Sequence, residues 1–223
     1  MKGKLIVIDG IDGSGKATQT KILTARLRRA GLRVATLTYP QYDRFFGKLI
    51  GRYQRGDFGP PVHPYLASSL YAFDRFESRD RILKWLREGK IVVLDRYTSG
   101  NQIHQAARLP KRERKNFLLW LETLENQMLG LPKPDLVIYL YLPAKIAAIL
   151  TAKKSARGYL GREKMDQMER DLGHQEASAK QAMHLATSRH WKIIHCIKSR
   201  QLLSIQDISN LIWKALSHKL PIS

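Results

Sequence analysis

Five short apolar segments, separated by helical patterns, are the feature that most constrains the fold of this 223-residue chain. Each segment is only a few residues long and lacks the polar alternation of a half-exposed strand, so we expect buried strands. Buried strands that alternate with helices form parallel sheets with helices on both faces. The sequence therefore predicts a three-layer α/β protein with a five-stranded parallel sheet. The predicted strands are residues 4–9, 34–38, 91–95, 136–142 and 191–197.

Helical patterns occupy most of the sequence between these strands, and the longest predicts one continuous helix from Pro64 to Glu88, ended by Gly89. The polar, basic stretch 153–164 has the composition of a mobile loop. We expect a single domain over residues 1–223. The other predicted helices are 16–30, 43–55, 99–107, 113–129, 143–153, 165–190 and 204–219.

Composition excludes several classes of protein. No apolar run approaches the roughly 20 residues that a membrane-spanning helix needs, and the N-terminus has no signal-peptide pattern. The one cysteine, Cys196, excludes an internal disulfide framework and a cysteine-based zinc site, and we predict a buried, inert thiol. We expect His104 and His174 to be surface or helix-face residues. The sequence therefore predicts a cytoplasmic protein with no membrane partner.

The net charge of +20, from 39 basic and 19 acidic residues, raises the hypothesis of nucleic-acid binding. The basic excess is spread along the chain and does not form a basic tail. The two densest runs, Arg26–Arg33 and Lys111–Lys115, are predicted to be solvated helix faces, and no nucleic-acid-binding motif accompanies them. We therefore expect no specific nucleic-acid partner, although non-specific binding of polyanions stays open.

A glycine-rich motif with the spacing G-x-x-x-x-G-K follows the first predicted strand and opens the first helix. In such a loop the backbone N–H groups and the positive end of the helix dipole bind phosphate oxygens, and the lysine reaches the β- and γ-phosphates. The motif therefore predicts binding of nucleotide phosphates. The predicted nucleotide-binding residues are Gly10, Gly13, Ser14, Gly15, Lys16, Ala17 and Thr18.

The full motif has Ser or Thr after the lysine to hold Mg²⁺, whereas this chain has Ala17 followed by Thr18. Three alternatives follow. Mg²⁺ is held by Asp12, Asp9, Asp95 or waters, or Thr18 substitutes for the missing hydroxyl, or the metal site is weak. Mg²⁺ keeps several waters and needs few protein ligands, so Ala17 does not contradict a metal site.

Further strings in a fixed order resemble the thymidylate kinase family. Together with the phosphate-binding loop, the resemblance covers roughly residues 3–215. It implies a P-loop NTPase fold, transfer of a phosphoryl group from ATP to dTMP with Mg²⁺, and a homodimer. The strings are Tyr39-Pro40-Gln41-Tyr42, Leu70-Tyr71-Ala72-Phe73-Asp74-Arg75, Asp95-Arg96-Tyr97 with Asn101 and Gln102 beyond, and Gly130-Leu131-Pro132-Lys133-Pro134-Asp135.

The resemblance also implies roles for single residues and segments: Lys16 and its loop bind the phosphates of ATP, and the stretch at about 153–164 is a lid that closes over ATP. In the dTMP site, it implies that Tyr71 stacks on the thymine, that Arg75 bonds a base carbonyl and that Arg96 grips the acceptor phosphate. The implied catalytic residues are Lys16, Asp12, Arg96 and the lid cations Arg157 and Arg162. The implied dTMP-binding residues are Asp12, Tyr39, Tyr42, Tyr71, Arg75, Arg96, Asn101 and Gln102, and the implied metal ligands are Asp12, Asp95 and Thr18.

Several positions depart from the family pattern. Some members have arginine where this chain has Gln41, and Arg44 is a possible substitute. Some have a tyrosine near the position of Met168. Others have an arginine at the position of Gly13, and because this chain lacks it, a cation from the lid is necessary. A related deoxynucleoside monophosphate kinase with another base or sugar preference is therefore an alternative. A nucleic-acid-associated P-loop ATPase, suggested by the +20 charge, is a second alternative.

Overall fold

Five parallel strands form the central sheet, in the order β2-β3-β1-β4-β5. The computed structural model describes residues 3–59, 61–152, 171–188, 191–199 and 201–217. The predicted parallel α/β fold is confirmed, and each strand begins and ends within a few residues of its predicted position. The strands are β1 (Lys4–Gly10), β2 (Val34–Thr38), β3 (Ile91–Asp95), β4 (Leu136–Tyr141) and β5 (Lys192–His195).

Strand β1 lies at the centre of the sheet, between β3 and β4. Its alternate side chains enter different cores: Ile6 and Ile8 belong to one apolar cluster, and Leu5 and Val7 to another. Successive side chains of a strand point to opposite faces of a sheet, so both faces of β1 are covered. This double burial explains why the segment is apolar throughout and does not alternate with polar residues.

Nine helices lie around the sheet within the described ranges. The fifth and sixth each continue into a π-helical turn. A short antiparallel pair, β6 (Ile197–Lys198) and β7 (Gln201–Leu202), precedes the last helix. The helices are α1 (Lys16–Arg29), α2 (Phe45–Arg55), α3 (Pro64–Phe76), α4 (Arg79–Arg87), α5 (Thr98–Gly100, then Asn101–Gln105), α6 (Lys111–Glu122, then Thr123–Met128), α7 (Ala144–Ala152), α8 (Leu172–Ser188) and α9 (Ile205–Ser217).

The single helix predicted from Pro64 to Glu88 is wrong, because the chain breaks between α3 and α4 at Ser78. Ser78 has φ −114° and ψ 6°, outside the helical range. Its Oγ lies 3.3 Å from the carbonyl oxygen of Arg75 and 2.6 Å from the hydroxyl of Tyr39. Serine competes for backbone hydrogen bonds in this way and favours helix ends. The apolar periodicity continues across the break and conceals it.

The strand predicted over 191–197 also ends early. Strand β5 stops at His195, and Ile197 pairs with Leu202 in the β6–β7 hairpin. The chain reverses at Ser199, which has a positive φ of 50°. Parts of three predicted helices lie outside the described residues: 153 in the first, 165–170 with 189–190 in the second, and 218–219 in the last.

The sequence-based expectations about the surface and the thiol are met. Arg28 and Arg29 are exposed in the last turn of α1, where positive charge interacts favourably with the helix dipole. Lys111, Arg112 and most of their neighbours in the second basic run are also exposed.

Cys196 is buried, and burial raises its thiol pKa to about 12, so it is inert as predicted. Within the described ranges, no helix combines the length and apolarity needed to cross a bilayer.

The buried Asp74 of α3 predicts a pH-dependent stability. Its carboxylate accepts the N–H of Gln41 at 3.2 and 3.3 Å. Burial raises its pKa from 3.8 to about 6, although the Gln41 hydrogen bond and Arg75 act in the opposite direction. Between these two pKa values the folded protein therefore binds more protons than the unfolded chain. Because of this difference, the free energy of unfolding decreases as the pH rises through this range.

The substitution Asp74→Asn removes the titrating group and keeps an oxygen that can accept from Gln41. Relative to the variant, the wild type should lose about 2–3 kcal/mol of unfolding free energy between pH 4 and pH 7. Urea denaturation at several pH values measures this difference, and Asp80→Asn on the exposed side of α4 is the control. Parallel stability curves for the wild type and Asp74→Asn would contradict the assignment.

Candidate active site

A cavity of about 350 Å³ lies at the carboxyl ends of the first three strands. In parallel α/β folds ligands bind at this edge of the sheet. Most of the residues that the sequence predicted for the site line this one cavity. They are Asp12, Gly13, Gly15, Lys16 and Ala17 after β1, Tyr39 and Tyr42 after β2, Asp95 and Arg96 at the end of β3, and Tyr71, Arg75 and Asn101 from α3 and α5.

The loop between β1 and α1 has the conformation that its glycines permit. Gly13 and Gly15 have φ of +84° and +89°, in the left-handed region that L-residues avoid. A Cβ on Gly13 would lie 2.2 Å from the carbonyl oxygen of Ala147, so this position also needs glycine for space. A Cβ on Gly15 would have no such neighbour within 4 Å. The loop therefore packs tightly on α7 at Gly13 and is open at Gly15.

Lys16 is only 8% exposed and lies under its own loop. Its ammonium donates to the carbonyl oxygens of Gly10 and Ile11, each at 2.9 Å, and lies 3.6 Å from a carboxylate oxygen of Asp12. Burial, followed by the positive charge of Arg96, lowers the pKa of Lys16, and Asp12 acts in the opposite direction. The loop thus holds a partly desolvated cation beside the cavity.

Arg96 directly follows β3 and has a positive φ of 64°, which is uncommon for a residue with a side chain. Its guanidinium forms an ion pair with Asp12, which links the loop after β1 to the loop after β3. Backbone conformations of this kind persist at functional sites because the surroundings enforce them. Arg96 and Lys16 thereby place two cations at the same end of the cavity.

Carboxylates balance these cations and fit a magnesium ion. Asp12 and Asp95 both line the cavity. Burial raises the pKa of Asp95, Lys16 and Arg96 lower it, and the nearby carboxylates of Asp9 and Asp12 raise it further. A divalent cation would relieve this repulsion between negative groups. Thr18 is exposed and does not line the cavity.

The described residues contain no group of three or more acidic, histidine or cysteine side chains arranged to hold a metal. A magnesium ion that keeps several waters needs only one or two carboxylates, so this finding does not test the predicted site at Asp12 and Asp95. The predicted lid cations Arg157 and Arg162, and Met168, lie outside the described residues.

Aromatic residues line the cavity from β2 and α3. Gln54 of α2 joins two of them: it accepts the hydroxyl of Tyr42 at 2.8 Å and donates to the hydroxyl of Tyr71 at 3.3 Å. Tyr39 differs, because its hydroxyl shares a hydrogen bond with Ser78 and its pKa is raised to about 12, chiefly by burial. Tyr42 and Tyr71 therefore have their ring orientations fixed from α2.

Two polar side chains at the same cavity share a buried partner. Nη1 of Arg75 and Nδ2 of Asn101 both donate to Oε1 of Glu125, at 2.6 and 2.8 Å. Arg75 and Asn101 line the cavity, whereas Gln102, predicted with them, does not. Gln105 lines it instead. Asn101 begins a helical segment, so Gln105, four positions later, lies on the same side of the helix as Asn101.

Other lining residues were not predicted. His104, expected at the surface or on a helix face, lies on α5 and lines the cavity, and its ring lies 5.8 Å from that of His174. Burial, followed by the charge of Arg96, lowers the pKa of His104 well below its ordinary value, which keeps the imidazole neutral. Helical spacing from Asn101 could have indicated His104 and Gln105. Nothing in the sequence pattern marked Gln54 or Gln175, which reach the cavity from distant helices.

Gln41 stands where some family members have arginine, and both polar atoms of its side chain are engaged by other residues. Its amide nitrogen donates to Ser78 at 3.1 Å, and its amide oxygen accepts from Arg81 at 3.0 Å. Arg44 is exposed and does not line the cavity.

A phosphate-binding loop and an aromatic pocket that share one cavity define a P-loop kinase of the class that acts on nucleotides. The sequence model of the thymidylate kinase family matches residues 8–207. The chain is 34% identical to the thymidylate kinase of Mycobacterium tuberculosis over 176 residues, which cover 77% of this chain and 80% of that protein. It is 30% identical to the human thymidylate kinase over 203 residues, covering 89% and 84%.

The chain belongs to the thymidylate kinase family, which confirms the resemblance found in the sequence. A solved structure of the thymidylate kinase from Candida albicans has the same fold, with a TM-score of 0.76 at 22% identity. The alignment covers 97% of this chain and 92% of that one.

The phosphate-binding loop yields a prediction about its two left-handed glycines. Gly13→Ala should lower the melting temperature more than Gly15→Ala, because both add strain at positive φ but only Gly13 meets α7. Strain alone costs about 1–2 kcal/mol, and the clash at Gly13 should raise the loss to about 3 kcal/mol or more. Thermal unfolding without nucleotide compares them. Equal losses for the two variants would show that the loop does not pack on Ala147 as described.

Proposed function

We propose that the protein phosphorylates dTMP to dTDP with ATP as the phosphoryl donor. One observation carries the proposal: a single cavity is lined by the phosphate-binding loop, by Arg96, which pairs with Asp12 of that loop, and by Tyr71, Arg75 and Asn101. Donor phosphates at one end and an acceptor nucleotide at the other would meet beside Arg96. This arrangement suits direct transfer between two bound nucleotides, which depends on positioning and on charge neutralisation.

At the donor end, the loop N–H groups and the start of α1 receive the phosphates of ATP. Lys16 exchanges a carbonyl oxygen of Gly10 or Ile11 for a phosphate oxygen, since those two bonds hold its ammonium in the structure. Asp12 and Asp95 would hold Mg²⁺, which would neutralise further phosphate charge. Arg157 and Arg162, in a lid at about 153–164, are our candidates for the remaining catalytic cation.

At the acceptor end, Tyr71 lies against the base, and Arg75 and Asn101 bond its polar edge. Arg96 holds the acceptor phosphate and exchanges part of its contact with Asp12 for it. Fixed cations at a point where negative charge gathers lower the barrier, because no reorganisation is needed during the transfer. Lid closure would exclude water, which competes as an acceptor.

The family relationship also supports a homodimer, which we include in the proposal. Within the described ranges, α3 and α6 carry large exposed apolar side chains that a second copy could cover: Leu66, Phe76, Leu119 and Met128. Multi-angle light scattering measures the mass in solution, and a mass of one chain at assay concentration would contradict the dimer. A cytoplasmic location agrees with the nucleotide substrates.

A coupled assay with ATP and each of dTMP, dUMP, dCMP, dGMP and UMP tests the substrate. We expect dTMP to give the highest kcat/KM. A higher value for another monophosphate would favour a related kinase with a different preference, which the engaged side chain of Gln41 makes worth testing. ATP hydrolysis that requires added DNA or RNA would instead indicate a nucleic-acid-associated ATPase.

Removal of either cation should abolish most of the transfer. Lys16→Met and Arg96→Met keep the length of the side chain and remove its charge. Each should lower kcat/KM for dTMP phosphorylation by about 100-fold or more, since one group that stabilises transition-state charge contributes 10²–10³-fold. Arg112→Met, on the exposed face of α6, is the matched control. A variant with near-normal kcat/KM would remove its residue from the mechanism.

A further inference from the structure

Glu125 is a buried carboxylate with no place in the reaction proposed above. It is 1% exposed and lies in the π-helical turn Thr123–Met128 that continues α6. It does not line the cavity. Its Oε1 accepts from Arg75 and from Asn101, the two polar residues at the base end. A buried charge is costly unless it is paired, and π-helical turns occur frequently at functional sites.

The contacts of Asn101 settle which way its amide lies. Nδ2 donates to the backbone oxygen of Ser68 at 3.0 Å and to Glu125 at 2.8 Å. Both partners are acceptors, so the opposite orientation would place the amide oxygen against two oxygens. Because both amide protons are engaged, Oδ1 is the polar atom that Asn101 offers to a ligand. Glu125 therefore makes Asn101 a hydrogen-bond acceptor.

Arg75 has the complementary character. Its guanidinium carries only donors, and Nη1 is fixed on Glu125 at 2.6 Å. Arg75 is 3% exposed and lines the cavity together with Asn101. The same carboxylate thus fixes a donor and an acceptor side by side. Burial raises the pKa of Glu125 to about 7, while Arg75 and Asn101 favour its ionised form.

A pyrimidine presents one of two patterns on the matching edge. A 4-keto base offers the N3–H donor next to the O4 acceptor, whereas a 4-amino base offers an N3 acceptor next to an N4–H donor. The first pattern pairs with the Asn101 oxygen and the Arg75 guanidinium. The second places acceptor against acceptor and donor against donor. Sites that match hydrogen-bonding groups in this way reject mismatched analogues strongly, because buried groups lose their partners.

We propose that Glu125 is a positioning residue that sets the preference for a 4-keto over a 4-amino pyrimidine nucleotide, by fixing Arg75 as the donor and Asn101 as the acceptor. The inference rests on the proposed function, since it assigns the base end of the same site. It is separable from that function, because it concerns only the ratio between two acceptors and not whether transfer occurs.

The test compares kcat/KM for dTMP and for dCMP in the wild type, Glu125→Gln and Glu125→Asp. Glu125→Gln keeps the size of the side chain and replaces a carboxylate oxygen by an NH₂ donor, which no longer forces the Asn101 orientation. It should lower the dTMP/dCMP ratio by about tenfold or more, mainly through KM for dTMP, with KM for ATP unchanged. Glu125→Asp keeps the acceptor charge but shortens the side chain, so its dTMP/dCMP ratio should lie between those of Glu125→Gln and the wild type.

Glu122→Gln is the matched control, because Glu122 lies on the same helix and pairs with Lys133 at the surface. It should leave the ratio unchanged. An equal loss of kcat/KM for both nucleotides in Glu125→Gln, or an unchanged ratio, overturns the inference. If Glu125→Gln does not fold by circular dichroism, Glu125→Asp carries the test, and a ratio equal to that of the wild type then overturns the inference.

Asn101→Ala provides a second measurement that a purely structural role of Glu125 would not affect. If Glu125 acts through Asn101, the double variant should lose less of the dTMP/dCMP ratio than the sum of the single losses in free energy. Full additivity overturns the inference. Failure of the proposed function would look different, since the wild type itself would then show no preference for dTMP over the other monophosphates.

Discussion

The constraint on which the site depends is the parallel pairing of β1 with β3. In this register Ile8 lies opposite Asp95, and Thr38 of β2 also lies level with Asp95. All three strands therefore end at one edge of the sheet, and the loops that follow them are forced together. Asp12 and Arg96, 84 positions apart in sequence, form an ion pair for this reason. The apolar strands fix the register, and the register assembles the polar site.

This assembly concentrates charge, and the structure balances it with groups from different loops. Lys16 and Arg96 face the carboxylates of Asp9, Asp12 and Asp95. None of these groups is stabilised by water to the usual extent, so each depends on the others. The hydrogen bonds that Asp9 accepts from Gly10 and from the hydroxyl of Ser99 serve the same purpose. Substrate phosphates would enter a site whose cations are already held by internal partners, so binding is an exchange of partners.

Sequence patterns predicted the sheet well because each strand is buried on both faces and its apolar run is continuous. They also predicted the residues at the strand ends, since motif and strand lie next to each other in sequence. The break at Ser78 was missed because it depends on a hydrogen bond to Tyr39 from another element. Gln54 and Glu125 were missed for a related reason. Each is a single polar residue on a helix, and only the tertiary packing shows that it contacts the site.

The two ends of the cavity therefore differ in physical character. The phosphate end works through charge, which acts over several ångströms and tolerates the replacement of one loop group by another. The base end, as proposed, works through the direction of hydrogen bonds, which one buried carboxylate sets through its contacts with Arg75 and Asn101. The net charge of +20 bears on the first end only, because a surface excess of cations attracts every nucleotide equally. In our proposal, selection among nucleotides comes from the second end, where Glu125 orients Arg75 and Asn101.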